Sequence, residues 1–118
     1  MSELQSKDMT RLAIEALEDK KAEAIRIFDI SEVSVLADYF LIASGSNRNQ
    51  IQALTDSVEE VLGRAGFAPK QIEGYNTANW ILMDYGDLIV HIFDRENRLF
   101  YDLERIWCDG HKIDRDSF

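Results

Sequence analysis

Cysteine, proline and histidine are nearly missing from this 118-residue chain, which holds one Cys, one Pro and two His. A lone Cys108 excludes an internal disulfide and, with no basic neighbour to favour the thiolate, reads as a passive thiol. His91 and His111 lie far apart with no matching Cys or His cluster, so the spacing of a zinc site is absent. No run of eighteen apolar residues and no basic-then-apolar leader is found, which points to a cytoplasmic protein without a membrane contact. Positive charge is also short: 13 Lys and Arg face 22 Asp and Glu, a formal net charge of −9. That balance argues against tracking a phosphate backbone, and no direct DNA binding is expected. A basic protein partner would instead be steered toward such a surface.

What is present suffices for a single domain over residues 1–118, with a frayed tail expected from about residue 110 to residue 118. Ser2-Glu3-Leu4-Gln5 has the spacing of a capping box, and Met9, Leu12, Ala13, Ala16 and Leu17 repeat as one helical face to about Asp19. Strands are expected over Ala24–Ile30 and Tyr39–Ala43. From Asn47, the residues Ile51, Leu54, Val58, Val61 and Leu62 predict a helix that ends at Gly66, and Pro69 prevents its continuation. Trp80–Tyr85 and Asp87–Phe93 flank Gly86 as an antiparallel hairpin. A last helix is expected to start near Asp94, with Leu99, Phe100, Leu103, Ile106 and Trp107 on its buried face. The order αββαββα predicts an α/β fold, a mixed sheet flanked by helices.

Several residues could carry a function. Gly45-Ser46 at the start of a helix admits two readings, a phosphate cradle or a turn whose Ser44, Ser46 or Asn47 caps the helix. A Gly-Ser turn after a strand also resembles the nucleotidyltransferase superfamily, whose paired metal-binding carboxylates should follow on a strand. Here that window is helical and holds Asp56 and Glu59 at helical spacing, so no catalytic pair and no metal or other cofactor is expected. Asp84 and Asp87 flank the hairpin turn, and two readings stay open: a carboxylate site of Asp84 with His91 or Asp94, or turn chemistry, which explains both aspartates as well. His91 shares a strand face with Ile89 and Phe93, where a hydrogen-bonded structural histidine is expected. By helical spacing Tyr101 is expected to face away from the buried side of the last helix, and Trp80 is expected to open a strand at a sheet margin. Between Lys70 and Arg95 there is no Lys or Arg, whereas Glu73, Asp84, Asp87 and Asp94 fall there beside Tyr75, Trp80 and Tyr85. Such a stretch reads either as an acidic strand pair or as a docking patch with aromatic anchors and an acidic rim.

Taken in order, several motifs resemble the ribosomal silencing factor, or Iojap, family. They are Ala37-Asp38-Tyr39-Phe40, Ala43-Ser44-Gly45-Ser46, Trp80, Asp84-Tyr85-Gly86-Asp87, His91-Ile92-Phe93 and Tyr101-Asp102-Leu103-Glu104-Arg105-Ile106-Trp107. The resemblance runs from the first helix to about Trp107; Ser46-Asn47-Arg48-Asn49-Gln50 departs from the family's commoner Thr-Ser-x-Arg-Gln. It implies a nucleotidyltransferase-like fold without the catalytic carboxylates, and a protein that is not an enzyme. The implied partner is the large ribosomal subunit, through its basic fourteenth protein; occupancy there blocks subunit joining and represses translation under nutrient limitation. A homodimer is implied for the free protein. Trp80 and Tyr101 match the family's aromatic positions, while Asp84, Asp87 and Asp94 are inferred from charge as partners for basic side chains. Two other classes stay open on the residues alone: a nucleotidyltransferase-like enzyme and a plain homodimerisation module.

Overall fold

The apolar periodicity of the first segment is realised as α1, Glu3–Asp19, which buries Met9, Ala13, Ile14, Ala16 and Leu17. The computed structural model of the chain describes residues 3–31, 37–94 and 111–113. Strand β1, Glu23–Asp29, and strand β2, Tyr39–Gly45, follow as expected, and β2 is buried along its whole length. Helix α2 covers Arg48–Arg64. Its start is fixed by Asn47, whose side chain accepts from the Gln50 N–H at 2.8 Å. Its end is fixed by Gly66 at φ +93°: Gly66 N–H donates to the Gly63 carbonyl and Phe67 N–H to that of Leu62, the pattern of a left-handed terminal turn.

Beyond α2 come β3, Gln71–Glu73, β4, Trp80–Asp84, β5, Leu88–Asp94, and β6, His111–Ile113. All six strands form one sheet in the order β3-β4-β5-β2-β1-β6. Among the described residues only the central pair β2 and β5 is parallel, Tyr39 standing opposite Leu88 and Gly45 opposite Asp94. The hairpin of β4 and β5 is antiparallel, with Trp80 opposite Phe93 and Asp84 opposite Ile89.

The sheet has two apolar faces. Leu41, Ala43, Ile81, Met83, Val90 and Ile92 meet α1 and α2 in one core, and the Ser57 hydroxyl of α2 donates to the Ala16 carbonyl of α1. Phe28, Phe40, Ile42 and Phe93 form a second cluster on the opposite face. A central strand buried on both sides explains why Tyr39-Phe40-Leu41-Ile42-Ala43 is continuously apolar instead of alternating. Both helices described lie on the first of these faces, since both contribute to its core.

The sequence reading needs two corrections here. The frayed tail fails at residues 111–113, which pair with β1, Asp29 opposite His111 and Ile27 opposite Ile113. A short polar segment offered no period to read, and only an existing strand edge gives its backbone hydrogen bonds a destination. Strand β3 was likewise absent from the expected order, because an edge strand exposing Gln71 and Glu73 carries one inward residue, Ile72. The expected last helix, with Tyr101, Trp107 and Cys108, lies outside the described residues.

Candidate functional site

Trp80 is the first residue of β4 and is partly buried against the second cluster. Antiparallel register sets it opposite Phe93, and the two rings stack with centroids 5.2 Å apart and planes 23° apart. Its indole Nε1–H donates to Nδ1 of His91 at 2.9 Å. His91 is 5% exposed and lies with its ring 4.3 Å from that of Phe40. Burial holds its pKa down at about 3, so the imidazole is neutral at physiological pH, and an accepting Nδ1 puts the ring proton on Nε2. The expectation of a hydrogen-bonded structural histidine beside Ile89 and Phe93 holds, and its partner is the tryptophan singled out as an anchor.

The loop before Trp80 is tied to the outer side of α2. Arg48 donates to the Asn76 carbonyl, Gln52 Nε2 to the Tyr75 carbonyl at 2.9 Å, and the Tyr75 hydroxyl to the Asp56 carboxylate at 3.0 Å. That bond to Asp56, more than any burial, raises the Tyr75 pKa. At its two ends the loop has Gly74 at φ +80° and Ala78 at φ +53°. Asp56, read as a solvated helix-face carboxylate, is thus a fastening point.

The structure separates the expected acidic rim. Asp84 shares the strand face of Trp80 but lies four residues along β4, about 13 Å away at ~3.3 Å per residue. Its Oδ1 accepts from Gly86 N–H at 2.8 Å, so it shapes the hairpin turn. The Asp87 carbonyl accepts from the backbone N–H groups of Asp38 and Tyr39, joining the turn to the start of β2. Lys70 folds over this turn: a Cβ on Gly86 would lie 3.3 Å from its Nζ. Asp94, one residue past Phe93, falls on the helix side of the sheet. There it lines a hollow of about 280 Å³ with Ser46, Asn47, Arg48, Ile51, Ala78 and Asn79. Tyr101 is outside the described residues.

At the Gly-Ser turn, Ser46 donates from both N–H and Oγ to Gln50 Oε1, at 2.6 and 2.7 Å. A Cβ on Gly45 would lie 2.8 Å from Ile51 Cγ1, so close packing of the helix accounts for the glycine. Among the described residues no group of three His, Cys, Asp or Glu could hold a metal ion, and no helix is long and apolar enough to cross a membrane. Sequence reasoning missed the hollow of about 220 Å³ lined by Asp29, Ser31, Asp38 and Tyr39. Asp29 there accepts from Ser31, and Asp38 from the Ser6 hydroxyl at 2.9 Å. The pairing of Asp29 with Tyr39 was the missing signal, and it depends on a register between separate strands.

Comparison with known proteins agrees with this architecture. Residues 3–118 match the family model described as "Ribosomal silencing factor during starvation". Ribosomal silencing factors of Bacillus subtilis and Halalkalibacterium halodurans are 36% and 35% identical, over 96% and 94% of this chain and 96% and 95% of their own lengths. The chloroplastic protein Iojap of Zea mays is 27% identical over 84% of this chain and 43% of its own length. A crystal structure of a Chromobacterium violaceum protein superposes with a TM-score of 0.85 at 36% identity, covering 92% of this chain and 89% of that one. A Bacillus halodurans structure gives 0.82 at 34% identity, covering 92% and 98%. With the fold and the full length matched together, the chain belongs to the family of ribosomal silencing factors.

Proposed function

We propose that this protein silences translation by occupancy: it binds the large ribosomal subunit through the subunit's basic fourteenth protein and keeps the small subunit from joining. No bond is made or broken, and the protein is not an enzyme. The observation that carries the reading, beside family membership, is the fixed geometry of Trp80. A large aromatic held by a hydrogen bond and a ring stack, yet only partly buried, is suited to anchor a protein contact. Tyr101 is proposed as the second anchor, and Asp84, Asp87 and Asp94 as partners for basic side chains. The −9 net charge supports attraction to a basic surface, with an association rate that falls as salt rises. In the cytoplasm the free protein is proposed to be a homodimer.

Sedimentation of purified subunits with and without the protein tests this. Wild-type protein is expected to travel with the large subunit and to reduce joined ribosomes. Trp80→Ala and Tyr101→Ala are each expected to weaken binding by about thirtyfold or more, the loss typical of a truncated aromatic anchor. A wild-type protein that neither binds the large subunit nor alters joining ends the proposal.

A further inference from the structure

Trp80 differs from an ordinary exposed aromatic in having its indole N–H taken by a buried side chain. The donor is partly exposed at the sheet end, whereas the acceptor, His91, is sealed beneath it. Trp80 lies diagonally across the ladder from His91, because Leu82 stands opposite His91 and Trp80 opposite Phe93. Three aromatic rings, Trp80, His91 and Phe93, thereby lie nearly parallel, within 10° to 32° of one another. Stacking on Phe93 limits tilt of the indole but leaves it free to slide or turn over within the plane. The bond to Nδ1 removes that freedom, since only one orientation points Nε1–H at the acceptor.

We propose that His91 is a positioning residue for docking: it touches no partner and acts by holding the Trp80 indole in its binding orientation before contact. This rests on the proposed role of Trp80 in the ribosomal contact. A side chain ordered on folding does not have to be ordered again on binding, a cost otherwise charged to affinity.

His91→Asn and His91→Leu separate the hydrogen bond from packing. The two replacements have the same branching and lose the ring contacts with Phe40 and Phe93 equally. Asparagine keeps an acceptor oxygen near the place of Nδ1, and leucine has none. Buried asparagine also carries an amide without an assured partner, so the leucine variant should be the more stable of the two in urea unfolding. Large-subunit binding should run the other way, with His91→Asn within about threefold of wild type and His91→Leu weaker by about tenfold. A role in folding alone would make affinity follow stability.

A second measurement needs no variant. In uniformly ¹⁵N-labelled wild-type protein, a scalar coupling across the hydrogen bond should connect Trp80 Nε1 with His91 Nδ1, with the indole assigned by its loss in Trp80→Phe. Missing coupling overturns the proposal, as does equal binding by the asparagine and leucine variants or a leucine variant that binds better. Those outcomes leave ribosome docking intact if the wild-type protein binds. If wild-type protein shows the coupling but no affinity for the large subunit, the docking reading fails and the positioning role falls with it.

Discussion

Replacing Gly74 by alanine is expected to be far more damaging than the same change at Gly66, although both glycines are exposed and lie outside regular structure. Both have left-handed backbones, φ +80° at Gly74 and +93° at Gly66, so each substitution incurs about 1–2 kcal/mol of backbone strain. At Gly66 nothing lies within 4 Å of the added Cβ, and strain is the whole cost. At Gly74 the Cβ would land inside the van der Waals envelope of the Trp80 carbonyl oxygen. That oxygen is backbone, so relief requires moving the start of β4, which adds roughly 1–3 kcal/mol. Gly63 supplies the baseline: it is helical with open space around it, and alanine there should stabilise by about 0.5–1 kcal/mol through helix propensity. Urea unfolding of the three variants, with midpoints compared at unchanged slope, checks the series. Equal losses at Gly74 and Gly66, within about 0.5 kcal/mol, would refute the close approach as the cause. Because the displaced carbonyl belongs to Trp80, Gly74→Ala should also weaken large-subunit binding, and Gly66→Ala should not.

His91 makes stability depend on pH. Its folded pKa of about 3 lies below the ordinary 6.5, so the unfolded chain takes up the proton first and stability is lost as pH falls from about 6.5 toward 3. At about pH 5 the loss is ~2 kcal/mol relative to neutral pH, and His91→Asn should remove that share of the slope in urea midpoints measured at both values. Asn47→Ala removes the side-chain acceptor of Gln50 N–H and should cost about 1 kcal/mol by the same assay. Tyr85→Phe should be neutral or stabilise by up to about 1 kcal/mol, because its buried hydroxyl has no hydrogen-bond partner among the described residues. A loss above ~1 kcal/mol would mean that the hydroxyl is satisfied.

Where structure is set by a few neighbouring residues, the sequence was a sufficient guide. Asn47 and Gly66 mark α2 because a cap and a left-handed terminal turn are local chemistry, and Asp-Tyr-Gly-Asp marks the β4–β5 turn for the same reason. Three-residue strands escape such reading, since β3 and β6 exist only because β4 and β1 offer an edge. The parallel pairing of β2 with β5 is nonlocal in the same sense. At the site, the face shared by His91 and Phe93 followed from alternation alone. Its link to Trp80 was not legible, because it depends on the turn length: Gly86 alone as the turn would set Trp80 opposite Ile92, whereas the observed Gly86-Asp87 turn, closed by Tyr85 N–H on the Leu88 carbonyl, sets it opposite Phe93. Extending β5 by one residue would also have put Asp94 on the helix side, away from Trp80, instead of gathering it into one patch.

That separation changes what a docking surface on this sheet can be. Trp80 shares its face with Leu82 and Asp84, and Asp84 already serves the turn beneath Lys70, so negative charge beside the anchor is sparser than the sequence composition implies. Charge can still draw a basic partner from a distance, because the field of the whole molecule survives over roughly a Debye length, ~8 Å at physiological salt. On the proposed docking role of Trp80, specific affinity then comes mainly from that residue and from its being held in advance. The fastenings reach it from both faces of the sheet: His91 and Phe93 hold the indole, while Arg48, Gln52 and Asp56 of α2 hold the loop that delivers its backbone. Substitutions on α2 that touch neither Trp80 nor its face, such as Gln52→Ala, should therefore reduce docking. Loss confined to Trp80 itself, with Gln52→Ala and His91→Leu both binding as wild type, would mean that the indole needs no help from its surroundings.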